Sequence, residues 1–354
     1  MKVCLYGPTI GHGSFVRVAA GLSEGLAATG ALADFVATDG LADDDGALSL
    51  AGAHAPVGLY VGPPSGAGIM VSRGEHARRL VMLAPNSSWL PEAIRMLGRP
   101  ADTAAGLVTG FVSPSAWGAE VIRRHVPDMP VSVYRHGISP AVFRPTAPQR
   151  GTGDAFRVLH MTSTAFERKG TRELVAAWTS LRRLGKLGTC PELLIVADHP
   201  MEDPAVAGVT VRSRMELSLA DAAKLYRRCD CVCQPSRGEG FGLVPLEARA
   251  AGVPVVMTSA TGHAEHASRI RPGGELVRCG VVEVGVGEDA PIDDGPDALA
   301  PKLEPAAVAE ALERAYEERH SLHVDALLSA SAVRRHWSWR AVTADWLAEE
   351  EGTR

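Results

Sequence analysis

Short apolar runs alternate with helix-period segments along almost the whole chain, and this alternation restricts the fold more than any other feature. In the first half the runs are Val3–Tyr6, Asp34–Ala37, Val57–Val61, Leu80–Leu83, Leu107–Val112 and Val131–Tyr134. In the second half they are Arg157–Met161, Leu193–Ala197, Val209–Val211, Cys229–Cys233 and Pro254–Thr258. Runs this short and this apolar suit strands covered on both faces, so they predict an α/β chain with parallel sheets. Between them, Phe15, Val18, Ala19, Leu22 and Leu26 predict one helix ending before Gly30. Leu174, Ala177, Trp178 and Leu181 predict a second helix over Thr171–Leu184; further helices are expected over Leu219–Arg228 and around Val308, Ala311, Leu312 and Ala315. At 354 residues the chain exceeds what one core comfortably holds, so two domains are expected. Pro145, Pro148, Gly151 and Gly153 mark the connection between them. The Asp-, Pro- and Gly-rich stretch from Gly285 to Pro301 reads as a loop, and Trp337, Trp339 and Trp346 fall in a closing helical segment.

A formal net charge of −5 gives no overall attraction for nucleic acid or an anionic membrane. Arg73, Arg78, Arg79, Arg123 and Arg124 read as solvated helix faces rather than a polyanion patch, which argues against nucleic-acid and lipid partners. The first apolar run is too short for a secretory signal and no stretch is long enough to span a bilayer, which predicts a cytoplasmic protein. None of the cysteines at 4, 190, 229, 231, 233 and 279 forms a Cys-x-x-Cys pair. Cys229, Cys231 and Cys233 alternate onto one strand face, where core packing is the reading preferred to a metal site. The acidic run Asp43–Asp45 likewise reads as a solvated loop, and no metal is expected.

The segment Pro235-Ser-Arg-Gly-Glu-Gly-Phe-Gly-Leu-Val-Pro-Leu-Glu247 carries the most chemical information. Gly238, Gly240 and Gly242 remove side chains where the backbone turns sharply after a strand. A helix starting near Val244 aims its free N–H groups at that turn, which suits an anion or a sugar hydroxyl. Glu239 and Glu247 then offer carboxylates from two heights. By itself the stretch fits equally a structural glycine loop with Glu247 on a solvated helix face. Glu167-Arg168-Lys169 follows another strand, and its cations suit a phosphate leaving group or a plain solvated turn. The first turn, Gly7-Pro-Thr-Ile-Gly11-His12-Gly13, fails the dinucleotide fingerprint because Val16 takes the third glycine position.

Taken together, Pro-Ser-Arg-x-Glu-Gly-Phe-Gly with a second Glu eight positions after the first resembles the signature of the retaining GT-B-fold glycosyltransferases, in particular the family 4 group (glycosyl transferases group 1). Arg135-His-Gly-Ile138, Phe143-Arg-Pro145, Phe166–Gly170 and Trp337-Ser-Trp339 are similar to further segments of that family. The resemblance implies two Rossmann-like domains with parallel sheets facing a cleft: residues 1–148 on the acceptor side, 149–330 binding a nucleotide sugar, and a helix in 331–354 returning to the N-terminal domain. It further implies transfer, with retention, from a UDP- or GDP-linked sugar to an acceptor hydroxyl, by default of a saccharide or small molecule, with no separate cofactor. Glu239 would contact the donor sugar and Glu247 the ribose, with Gly240, Phe241, Gly242 and Leu243 forming the turn. Lys169 and Arg168 would stabilise the departing diphosphate, and Gly11 and Gly13 would face it. His12, Asn86, Ser87 and His263 are candidates for substrate contact, beside ordinary loop roles. Two positions depart from the family pattern: Thr164 stands where an Arg is common, and Ala84–Pro91 lacks a His. The rival readings are a nucleotide-sugar 2-epimerase or phosphorylase on the same fold, a non-catalytic nucleotide-sugar-binding subunit, and a Rossmann oxidoreductase.

Overall fold

A computed structural model describes residues 1–9, 14–38, 55–62, 76–90, 108–146, 155–163, 165–213, 217–267, 280–293, 295 and 297–352. Gly11, His12, Gly13, Asp43–Asp45, Arg73, Pro148, Gly151, Gly153, Thr164 and Cys279 lie outside the described residues. The chain divides into two compact units, one of Met1–Gly137 with Trp337–Arg354 and one of Ile138–His336.

In the N-terminal unit the strands are β1 (Val3–Gly7), β2 (Leu32–Ala37), β3 (Val57–Val61), β4 (Arg78–Met82), β5 (Gly110–Ser113) and β6 (Val131–Val133). They form one parallel sheet in the order β2-β1-β3-β4-β5-β6. Cys4, Tyr6, Tyr60, Val81 and Phe111 fill one face of it with Val121 and Ile122 of α2 (Ala116–His125). The Ser115 hydroxyl accepts the Gly118 N–H at 3.0 Å and caps that helix. Helix α1 (Ser14–Ala28) buries Val18, Ala19, Leu22 and Leu26, as their spacing predicts. Phe15 departs from that prediction and is 43% exposed. Ala19 already packs at Gly7, the last residue of β1, so a side chain one turn earlier projects past the sheet. Arg78 and Arg79 also depart, because they open strand β4 rather than lying on a helix. Arg78 pairs with Glu350 at 2.6 Å and Arg79 donates to the His76 carbonyl at 3.1 Å.

The chain's last helix, labelled α9 (Trp339–Gly352), packs on α1 within this same unit. A Cβ on Gly21 would meet the Trp339 indole, and one on Gly25 would meet the Thr343 hydroxyl, so this pair of glycines opens the groove the helix occupies. Trp346 stacks on Tyr134 with ring centroids 4.4 Å apart, and the Tyr134 hydroxyl bonds Thr343 Oγ1 at 2.6 Å.

The C-terminal unit has strands β7 (Arg157–Thr162), β8 (Glu192–Ala197), β9 (Val209–Arg212), β10 (Cys231–Gln234), β11 (Val255–Thr258) and β12 (Val281–Val284). All are parallel, in the order β12-β11-β10-β7-β8-β9. From β7 the chain adds strands first on one side and then on the other, which puts the topological switch point between β7 and β10. One face is covered by Leu174, Ala177, Trp178 and Leu181 of α3 (Thr171–Arg183) together with residues of a later helix, Pro305–Glu317. Cys231 and Cys233 pack into this core; Cys229 precedes the strand, so the expected three-cysteine alternation along one strand is not formed. The Gly285–Pro301 stretch is not all loop, because β13 (Asp289–Pro291) and β14 (Leu299–Pro301) pair as an antiparallel hairpin. The remaining helices are α4 (Leu219–Arg227), α5 (Leu243–Ala250), α6 (Ala264–Ala267), α7 (Pro305–Glu317) and α8 (Arg319–His336). Two six-stranded parallel sheets with helices on them make the GT-B fold.

Filling the groove under Trp339 tests the packing of α9. Gly21→Val is expected to destabilise the N-terminal unit by about 1–3 kcal/mol through overpacking, read as a lower urea midpoint followed by tryptophan fluorescence.

Candidate functional site

Two turns leave the carboxyl ends of the adjacent strands β7 and β10, where open α/β sheets gather ligands. The first contains Glu167, Arg168, Lys169 and Gly170, and the second runs from Pro235 to Gly242. The Arg237 N–H donates to the Arg168 carbonyl at 2.8 Å, so the turns are joined through their backbones.

Sequence reasoning placed Arg168, Lys169 and Glu239 at one site, and the structure brings all three together. Lys169 Nζ lies 2.6 Å from Glu239 Oε1. Arg168 donates to the Gly238 carbonyl at 2.7 Å and holds the other Glu239 oxygen at 3.9 Å. Burial pushes the Glu239 carboxyl up, but Lys169, Arg168 and His263 outweigh it and hold the group at about 2. Its backbone is fixed as firmly: the Glu239 N–H donates to Thr261 Oγ1 at 3.1 Å, and the Gly262 N–H donates to the Glu239 carbonyl at 2.8 Å. Thr261 makes this contact with φ of 52°, a conformation a β-branched residue adopts only when its surroundings impose it.

Gly242 caps α5 at φ of 91°, and a Cβ there would run into the His263 ring. Gly240 and Phe241 are buried in the turn, while Leu243 is half-buried at the start of α5. One turn into α5, Glu247 is buried rather than solvated, and Tyr226 of α4 donates to its Oε2 at 2.8 Å. His263 is buried in the 3₁₀ turn Thr261–His263, and burial holds its imidazole down at about 4, so it is neutral.

Two participants, Arg237 and His160, were not singled out as site residues from the sequence, although Arg237 lies inside the glycine-rich motif. Arg237, buried, donates from Nη1 to Glu167 at 2.7 Å, from Nε to the Pro301 carbonyl at 3.0 Å and from Nη2 to the Pro291 carbonyl at 3.2 Å. It therefore ties both turns to the β13–β14 hairpin. Below the turns, His160 bonds the Cys233 carbonyl and Thr171 Oγ1, each at 2.9 Å, and burial holds its ring at about 4. A buried histidine on an otherwise apolar strand was the available clue.

In the N-terminal unit Ser87 is fully buried, and its hydroxyl accepts the Trp89 N–H at 3.3 Å. Asn86 is half-buried in the same turn.

Fold and turns together define a GT-B protein whose C-terminal unit carries a cation-and-carboxylate site at its switch point. Residues 155–318, which contain every residue of that site, match the family model described as Glycosyl transferases group 1. The lipopolysaccharide core biosynthesis mannosyltransferase LpcC of Rhizobium leguminosarum bv. viciae is 31% identical over 150 residues, 39% of this chain and 43% of that protein. The match thus spans less than half the length of this curated relative. The solved sucrose-phosphate synthase of Thermosynechococcus elongatus superposes with a TM-score of 0.65 at 16% identity, covering 99% of this chain and 98% of that one. Anabaena Alr3699/HepE, solved in complex with UDP and glucose, gives 0.57 at 14% identity over 84% and 78% of the two chains. Among the described residues no helix is long and apolar enough to cross a membrane.

The depressed Glu239 group has a stability consequence whose sign is fixed. Its folded value of about 2 lies below the ordinary 4.5, so its contribution is complete above pH 4.5 and is lost as pH falls toward 2. Glu239→Gln should therefore flatten the fall in stability across that window, measured by denaturant unfolding at successive pH values.

Proposed function

We propose that this chain is a retaining glycosyltransferase of the family 4 type that moves a sugar from a nucleoside-diphosphate donor to an acceptor hydroxyl. The observation that carries the reading is the Lys169–Glu239 pair at the switch point, flanked by Arg168 and by the positive end of α5. Two cations and one carboxylate leave the turn with net positive charge, which suits a diphosphate that gains negative charge as it departs. A UDP- or GDP-linked sugar meets this requirement. The Anabaena neighbour holding UDP and glucose supports the same ligand class.

In the proposed reaction the bond between the sugar C1 and the phosphate oxygen breaks, and its electron pair passes to the phosphate. Lys169 and Arg168 stabilise that charge, so the leaving group needs no metal ion. The acceptor oxygen bonds C1 on the face the diphosphate leaves, and its proton passes to a departing phosphate oxygen. Glu239 orients the sugar through its hydroxyls, and Glu247, held by Tyr226, receives the ribose hydroxyls. Gly240, Phe241, Gly242 and Leu243 shape the donor turn. Gly11, His12 and Gly13 keep their proposed contacts to phosphate and acceptor, and Asn86 and Ser87 theirs to the sugar. The acceptor is proposed to be a saccharide or small molecule, and the protein to act in the cytoplasm.

A panel of UDP-glucose, UDP-N-acetylglucosamine and GDP-mannose, followed by mass spectrometry for donor hydrolysis and transfer, tests the reading. Glu239→Gln is expected to abolish turnover while leaving nucleotide binding largely intact. Lys169→Ala should lower kcat roughly 100- to 1000-fold, the range for loss of one group that stabilises developing charge. An altered nucleotide sugar formed without acceptor would instead establish an epimerase, and donor binding without turnover a binding subunit.

A further inference from the structure

His263 lies against the donor turn in a hydrogen-bonding arrangement that fixes its tautomer. The Thr258 hydroxyl donates its single proton to the Ser236 carbonyl at 2.6 Å. Toward His263 Nδ1, 3.2 Å away, the same oxygen can therefore only accept. Nδ1 carries the ring proton, and Nε2 carries a lone pair. Among the described residues Nε2 has no hydrogen-bond partner, although the side chain is 1% exposed. An unpaired acceptor inside a protein is costly, which marks it as a place where a ligand group completes the site.

The direction of that lone pair is also constrained. A Cβ on Gly242 would come within 2.6 Å of Nε2, so this edge of the ring lies over the N-cap of α5. The ring feels the charges of Glu239, Lys169 and Arg168, which places it beside the same turn. His263 also sits two residues after Thr261, whose hydroxyl receives the Glu239 N–H, so the ring and the carboxylate are positioned by one short turn.

We infer that His263 Nε2 accepts a hydrogen bond from a hydroxyl of the donor's glycosyl group, and that His263 thereby selects donors carrying a hydroxyl at that position. The inference rests on the nucleotide-sugar reading above. It assigns the two side chains complementary tasks. Glu239 is a charged acceptor held by Lys169, whereas His263 is a neutral acceptor that adds no charge near the diphosphate.

The test uses the full chain with ¹⁵N-labelled histidine and UDP-glucose, UDP-N-acetylglucosamine and GDP-mannose as probes, with UDP and GDP as controls. The expected spectrum shows His263 Nε2 unprotonated in the free protein, with the signal identified by its loss in His263→Gln. The resonance should move when a nucleotide sugar binds and stay in place when UDP or GDP binds. By calorimetry, His263→Ala should weaken the nucleotide sugar by about tenfold, the scale of one hydrogen bond, and leave the nucleoside diphosphate within about twofold. If the unmutated chain binds neither class of probe, the donor reading fails and the inference with it. If both bind but Nε2 proves protonated, or moves equally with UDP or GDP, the inference is overturned while the donor reading stands. Equal weakening of both ligands in His263→Ala overturns it in the same way. In the unmutated chain the His263 ring signal is assigned independently by through-bond correlation to its own backbone amide, so that spectrum decides the matter even if a variant fails to fold.

Discussion

The ion pair between Lys169 and Glu239 is the interaction around which the C-terminal unit is organised. A carboxylate in this position has lost most of its water, and a buried charge without a partner costs several kcal/mol. The pair is tolerable because Arg168 approaches the second oxygen and because the Glu239 backbone is held at both its N–H and its carbonyl. The requirement reaches back to topology. Lys169 follows β7 and Glu239 follows β10, and only the reversal of strand order makes these two strands neighbours.

The neutral groups around the pair matter as much as the charged ones. His160 lies below it and His263 beside it, and burial keeps both rings unprotonated well below neutral pH. A third or fourth cation there would compete with Lys169 for Glu239. With both imidazoles neutral and Arg237 paired to Glu167, the remaining balance is two cations, Arg168 and Lys169, against the Glu239 carboxylate. In the proposed function this excess is what a donor phosphate would draw on, without reorganising the turn beneath it.

Much of this was legible in the sequence because it depends on spacing. Leu174, Ala177, Trp178 and Leu181 announce a helix face, and all four are buried. The apolar runs give parallel strands, and the glycines around Glu239 mark a turn at a strand end. What stayed hidden depends on partners distant in sequence or on backbone atoms. Arg237 binds carbonyls of Pro291 and Pro301, and no side-chain pattern encodes a carbonyl acceptor. The hairpin that presents them is rich in Asp, Pro and Gly, so local composition favoured a loop; the ladder of β13 and β14 overrode it. Arg78 and Arg79 misled in the opposite sense, because charged residues can begin a strand whose apolar part lies further along. By spacing alone Glu247 fitted a solvated helix face as well as a ligand site, and it is Tyr226, on the preceding helix, that supplies its buried partner.

Arg237 shows why the two turns behave as one body. Lysine could pair with Glu167, but it could not also serve two carbonyls lying in different directions, because that demands a planar fork with donors at fixed angles. The guanidinium spans the turn after β7, its own turn after β10, and the hairpin that follows β12. Its main-chain N–H meanwhile fixes the carbonyl of Arg168, so one residue sets both the backbone from which the cations project and the position of the loop bearing Glu239. The cations thus project from attachment points that the backbone holds, and their tips are held in turn by the Gly238 carbonyl and the Glu239 carboxylate. For the proposed reaction such fixed attachment suits stabilisation of a leaving group, because the reorganisation energy is met during folding rather than during the reaction.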